Sequence, residues 1–294
     1  MIEKGFKLAL DEQGGKLAGR DVQYFKVDDE SDPSKATDNV NKLIKRDNVD
    51  VIVGTVHSGV AMAMARVAKD SGTILIVPNA GAGAVTGAMC APNIFRSSFS
   101  NWQTGYATGE AVAKRGHKKI ATVTWKYAAG DEMVAGFKEA FEKAGGQVVK
   151  ELNLPFPNVE FQALLTDVAA TKPDGVFAFF AGGGAVKFVK DYAAAGLNKG
   201  IPLYGSGFLT DGTIEAQGPA AQGLVTSGPR TPPPLPPRSV TGGFQVPAAS
   251  AATPNPRAAS PVSGKVLVPP PPPAEALWEE GHGGTSVAPQ PPVH

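Results

Sequence analysis

Through residue 227 the sequence switches repeatedly between two periods. Short β-branched apolar runs, such as Val51-Ile52-Val53 and Ile74-Leu75-Ile76-Val77, alternate with stretches whose apolar residues recur every three or four positions. The first pattern reads as buried strand, the second as a helix with one covered face. Strands alternating with helices are expected to form parallel sheets with helices on both faces. The order begins with a helix at 2–12 and a strand at 20–29. A helix then opens with Asp32 as cap and Pro33 in its first turn, with Ala36, Val40, Leu43 and Ile44 on one face. Strand 49–54, helix 59–70, strand 73–78, a short strand within 93–100 and helix 102–116 complete a first set. A second set starts at strand 118–125. Its first helix aligns Met133, Phe137, Ala140, Phe141 and Ala144 and stops at Gly145-Gly146. Strand 147–154, helix 159–171, strand 174–180, helix 184–195 and strand 201–207 follow. The expected fold class is α/β, with two doubly wound lobes meeting near Gly116 and a cleft at the carboxyl ends of their strands.

Beyond that point the composition changes. Of 26 prolines, 8 lie in residues 1–227 and 18 in the last 67 residues. A stretch so rich in proline, with Phe244 and Trp278 as its aromatics, cannot build a core and reads as disordered or polyproline II. Residues 233–238, Pro-Pro-Leu-Pro-Pro-Arg, fit an SH3-type ligand. The abrupt stop after Gly-Leu-Val-Thr-Ser favours a shifted reading frame instead. The expected domains are therefore lobe one at 1–117, incomplete; lobe two at 118–227; and a disordered tail at 228–294.

Other function classes lose support. Net charge is +1, which gives no electrostatic case for a nucleic-acid partner. A single cysteine, Cys90, rules out an internal disulfide, and His57, His117, His282 and His294 have no metal-ligand spacing. No apolar run reaches the ~18–20 residues of a membrane span. No catalytic constellation, cofactor motif or metal site is expected. The run Gly81 to Gly87 has GxGxxxG spacing after an interior strand, which is wrong for a dinucleotide fingerprint. Asp131-Glu132 reads as a solvated helix start.

The remaining candidates sit at strand ends. Gly54 to Gly59 joins strand 49–54 to a helix, which puts Ser58 at or near the N-cap. The free amides and dipole there favour an anion such as a carboxylate; a simple cap is the competing reading. The neighbouring turn, Asn79-Ala80-Gly81-Ala82, is small and glycine-rich, so backbone can approach a ligand. In the second lobe the matching turns hold Trp125 and Tyr127, and Gly182 to Gly184.

In joint order, the runs from Gly5 to Ile44, Val49 to Met64, Ile74 to Ala82, Ile94 to Gly105, His117 to Val149 and Asp174 to Ala185 resemble the type I periplasmic solute-binding proteins of ABC transporters. The similarity is to the branch that takes branched-chain amino acids and aromatic acids, and it spans about residues 2–227. It implies a non-enzymatic two-lobe clamp in the periplasm. That clamp would close as a monomer on a small carboxylate and dock to a membrane permease. A cytoplasmic ligand-sensing domain of the same fold is the alternative. The family's carboxylate-holding positions fall on Ser58 with the Gly59 amide and on Ala80, Gly81 and Ala82. The tyrosine and acid that grip an amino group there have no clear match. A carboxylate without an ammonium is therefore favoured, with Trp102, Trp125 and Tyr127 available to stack on an aromatic ring and Gly182 leaving space for it. In that family a secretory signal and a first strand precede the helix at 2–12, so the sequence reads as a fragment with a late start.

Overall fold

The computed structural model describes residues 2–17 and 19–228. The tail expected to be disordered lies outside them, apart from Gly228. In chain order the elements are α1 (Ile2–Glu12), β1 (Lys16–Leu17), β2 (Arg20–Asp21), α2 (Pro33–Lys45), β3 (Val51–Val53) and α3 (Ser58–Ser71). Next come β4 (Ile74–Val77), α4 (Gly83–Thr86), β5 (Ile94–Arg96), α5 (Asn101–Lys114), β6 (Lys119–Lys126) and α6 (Ala128–Lys143). The chain continues through β7 (Gln147–Pro155), α7 (Gln162–Thr171), β8 (Gly175–Phe179), α8 (Gly182–Ala194), β9 (Leu203–Ser206), α9 (Ile214–Gln217) and β10 (Val225–Ser227).

Two parallel sheets dominate. The first has the order β3-β4-β5, the second β10-β9-β8-β6-β7. In the second sheet β8 and β9 are buried throughout and β6 is buried between its two end residues, as strands covered on both faces must be. One face carries Phe161, Leu165, Val168, Phe188 and Tyr192 from α7, α8 and the residue before α7. The other carries Val112 of α5 with Met133, Phe137 and Phe141 of α6.

The first sheet departs from the expected two-sided cover. Ile52, Leu75, Val77 and Ile94 point into a core with Ala36 and Val40 of α2 and Val60, Ala61, Met64 and Ala65 of α3. The alternate residues Val51, Val53, Ile74 and Phe95 are 38–52 % exposed. The strand expected over 20–29 is also shorter than the sequence suggests. Only Arg20–Asp21 pairs, antiparallel with Lys16–Leu17. A strand exists only where a ladder partner meets it, and residues 22–29 find none among the described residues. α1 forms over the expected residues but buries none of them.

Helix starts follow local chemistry. The Asp32 carboxylate accepts from the Ser34 and Lys35 amides ahead of Pro33 at the first turn. Ser100 and Gln103 form a reciprocal capping box for α5. α5 packs along α6 and against β9 and β10.

Candidate ligand-binding site

In the second sheet β6 lies between β7 on one side and β8 on the other, so the strand order reverses at the β6–β8 boundary. The crevice outside the carboxyl ends of such strands is where open α/β sheets bind ligands. Tyr127 directly follows β6, while Ala181 and Gly182 follow β8. These residues line a cavity of about 270 Å³ together with Trp125, Ala129, Phe156, Phe179 and Phe208, and with Ser31, Val56, His57, Ser58 and Asn101. Its volume suits a single-ring solute better than a peptide, since drug-sized pockets start at about 300 Å³. A second cavity of about 290 Å³ lies near Pro202 and Leu203, at the opposite, amino end of β9, and lacks this convergence.

The cavity's apolar wall is aromatic. The Trp125 indole is buried, donates from Nε1 to the Asn158 carbonyl at 2.7 Å, and meets Phe156 and Phe180 edge-on at 5.1 and 5.2 Å. Tyr127 stacks on His57 with ring centroids 4.4 Å apart and planes 8° from parallel. Phe156 closes on both rings, at 4.8 Å from His57 and 5.4 Å from Tyr127. Burial raises the Tyr127 phenol above its ordinary value, so it stays neutral.

The polar wall is built at the start of α3. His57, not Ser58, is the N-cap: its Nδ1 accepts from the Val60 amide at 3.3 Å. The helix therefore begins one residue earlier than the sequence suggests, and Ser58 is 1 % exposed. The Ser58 Oγ accepts from Asn101 Nδ2 at 3.1 Å. Asn101 Nδ2 also donates to Glu132 Oε2 at 2.8 Å. The Glu132 carboxylate in turn accepts from the Gly83 amide at 3.0 and 3.1 Å. Glu132 is thus half-buried and bridges the first sheet's turn to α6, whereas its neighbour Asp131 pairs with Lys126 at the surface. The solvated-start reading holds for Asp131 alone.

Of the sequence candidates, Ser58, Tyr127 and Gly182 line the cavity, and Trp125 joins them. Gly59, Ala80, Gly81, Ala82 and Trp102 do not. Ala80 and Ala82 are fully buried. The turn between them serves the network behind the cavity instead: the Gly81 carbonyl accepts from the Asn101 amide at 2.9 Å. A Cβ at Gly81 would strike the Asn101 side chain. Trp102 is partly exposed on α5, tilted against Tyr106 with centroids 4.7 Å apart and bonded from Nε1 to Glu139 of α6 at 2.9 Å. Sequence reasoning missed Phe156, Phe208, His57, Asn101 and Glu132. The first two were findable, because they follow β7 and β9 on the edge that already held the other candidates. Asn101 opens α5, where nothing local marks it, and Glu132 lies just past the first turn of α6, where the sequence reads as a solvated acidic pair.

Two parallel α/β sheets with a solute-sized cavity at their strand ends define a periplasmic binding protein of type I. The chain belongs to the periplasmic binding protein family, whose model matches residues 1–245. It is similar to an ABC-transporter solute-binding protein from R. palustris solved in complex with benzoate. The two are 59 % identical, with a TM-score of 0.74 over 76 % of this chain and 62 % of that one. A solute-binding protein from Rhodopseudomonas palustris BisB5, solved in complex with 3,4-dihydroxybenzoic acid, is 34 % identical with a TM-score of 0.73, over 77 % and 62 %. A Leu/Ile/Val-binding protein homologue from Brucella melitensis biotype 1 is 29 % identical over 232 residues, 76 % of this chain and 59 % of the relative. The chain spans about three fifths of the length of these relatives.

Proposed function

We propose that this chain is the solute-binding component of an ABC importer and holds a small aromatic carboxylate between its two lobes. The observation that carries this reading is the cavity itself. Its walls are the rings of Trp125, Tyr127, Phe156 and Phe208, and Ser58 joins Ser31, His57 and Asn101 in its polar lining. Rings of this number suit an aromatic body, and the Ser58 hydroxyl beside the N-terminus of α3 suits a carboxylate head. Among the described residues that line the cavity none is an acid that could hold an ammonium, and Glu132 is engaged with Gly83 and Asn101 behind it. This favours a benzoate-like solute over an α-amino acid. The relatives solved with benzoate and 3,4-dihydroxybenzoic acid support the same class. A membrane permease as partner, a periplasmic site of action and a monomeric state complete the proposal.

Calorimetric titration of the chain with benzoate, 4-hydroxybenzoate and leucine tests it. Saturable binding of a benzoate with little response to leucine is expected. Leucine binding without benzoate binding would refute the reading. The hydrogen bond from Ser58 to a carboxylate is charge-assisted and worth ~1.5–3 kcal/mol. Ser58→Ala is therefore expected to weaken benzoate binding by about 10- to 150-fold. A lowered melting temperature with unchanged affinity would leave Ser58 a packing residue.

A further inference from the structure

The residues Asp29-Glu30-Ser31-Asp32 break a local rule beside the cavity. The Asp32 amide donates to the Asp29 carbonyl at 2.8 Å, which closes a four-residue turn ahead of α2. Its two central residues, Glu30 and Ser31, both have left-handed backbone, with φ of 49° and 58°. A turn of this hand ordinarily takes Gly, Asn or Asp at both places, since a Cβ crowds the backbone there. Glu-Ser is a costly choice, and such costs persist where a particular side chain is needed. Glu30 is exposed and pairs with Lys35. Ser31 is half-buried and lines the cavity. The Asp29 carboxylate holds the turn in place: Oδ1 accepts from the Ser31 amide at 2.8 Å, and Oδ2 from the buried Thr55 hydroxyl at 2.7 Å. Thr55 follows β3 in the turn that also carries His57 and Ser58, so Ser31 is tied to the wall those residues form. The bond that fixes Ser31 is made by its amide, and its hydroxyl is no part of it.

We propose that Ser31 is a specificity-determining residue of this cavity, whose hydroxyl hydrogen-bonds a neutral hydroxyl carried on the ring of the solute. The inference rests on the reading of the site as a clamp for an aromatic carboxylate and adds what the clamp recognises besides the head group. The turn carries Asp29, Glu30 and Asp32, with Asp28 just before it. These acids disfavour an anionic group beside Ser31, so the group it meets is uncharged. A serine Oγ both accepts and donates, as a phenol does, and the two satisfy one another in either sense. A ring that is bare at this point leaves the serine hydroxyl to water and gains nothing from it.

Calorimetry with benzoate, 3-hydroxybenzoate and 4-hydroxybenzoate tests this in the unaltered chain, in Ser31→Ala and in Ser31→Gly. In the unaltered chain one of the two hydroxybenzoates is expected to bind more tightly than benzoate. Both variants are expected to weaken that solute by about two- to tenfold and to change benzoate by less than about twofold. Melting curves give a second readout. Glycine takes left-handed backbone at no steric cost, so Ser31→Gly is expected to melt no lower than the unaltered chain while it binds the hydroxybenzoate more weakly. Benzoate bound more tightly than both hydroxybenzoates overturns the inference and leaves the clamp reading intact. Equal weakening of all three solutes, or no change in any, does the same. A lowered melting temperature in Ser31→Gly with unchanged solute ratios makes Ser31 a residue of the turn alone and also overturns it. Absence of binding by all three solutes in the unaltered chain defeats the clamp reading and the inference with it.

Discussion

At His57 one ring does three jobs. It caps α3 through Nδ1, stacks directly on Tyr127 in the cavity wall, and buries its second nitrogen. Burial holds its proton affinity below the ordinary value of 6.5, with the Asp29 charge pulling weakly the other way. In the unfolded chain the ring takes up a proton near that ordinary value, and the folded protein resists it. The stability His57 contributes is thus complete above about pH 6.5 and is lost as the pH falls below it. Melting curves between pH 7.5 and 5 are expected to show a decline that His57→Gln flattens. A decline of the same slope in the variant would assign the effect to other groups. None of this was visible in the His-Ser-Gly tripeptide. The sequence pointed to Ser58 because a strand, a turn and a small-residue helix meet there. Which of two adjacent residues caps the helix depends on a ring rotamer set by Tyr127 and Phe156, which come from distant parts of the chain.

Elements were more legible than contacts. The two sequence periods located β6 to β9 and the helices α6 to α8 between them, because each is decided by its own burial pattern, but not the short α9 and β10. The strand expected at 20–29 failed for a different reason: its residues have strand character, but a ladder needs a partner. The contact between α5 and α6 was equally hidden. These helices approach closely at Gly105, where a Cβ would overlap the Met133 carbonyl. Gly105→Ala is expected to force the pair apart and to lower stability by about 1–3 kcal/mol, measured by urea denaturation. A neutral result would mean that α5 can slide without cost. On the other side of α6, Phe137 is fully buried and stacks on Phe177 at 4.6 Å. Phe137→Ala is expected to cost about 3–5 kcal/mol, and a loss under 1 kcal/mol would show that this face repacks freely.

For the whole molecule, the inequality of the two sheets matters most. Among the described residues, the five-stranded sheet is covered on both faces and the three-stranded sheet on one. Hydrogen exchange is therefore expected to protect the amides of β6, β8 and β9 longest and to release those of β3 and β5 first. Equal protection in both sheets would contradict this ordering. Benzoate should narrow the gap if it binds where proposed, because a solute held by Ser58 on one side and Tyr127 on the other stabilises both sheets together. The cavity could be expected from the strand order, but its tightness could not. That depends on Glu132 reaching the Gly83 amide and on Asn101 reaching Ser58, contacts that exist only once the two sheets have come together.

Val51, Val53, Ile74 and Phe95, side by side on the face of the first sheet that the described residues leave open, also govern how the protein behaves as a colloid. β3 is an edge strand as well, with no ladder partner on its outer side among the described residues. A row of apolar side chains beside unpaired backbone groups makes this part of the surface an amphiphile. The native protein should therefore brighten an apolar dye without unfolding, adsorb to air–water and plastic interfaces, and scatter more light as sulfate is added, because excluded salts strengthen apolar contact. Placing lysine at Phe95 and Val53 should suppress all three responses while leaving benzoate affinity unchanged, since neither residue touches the cavity.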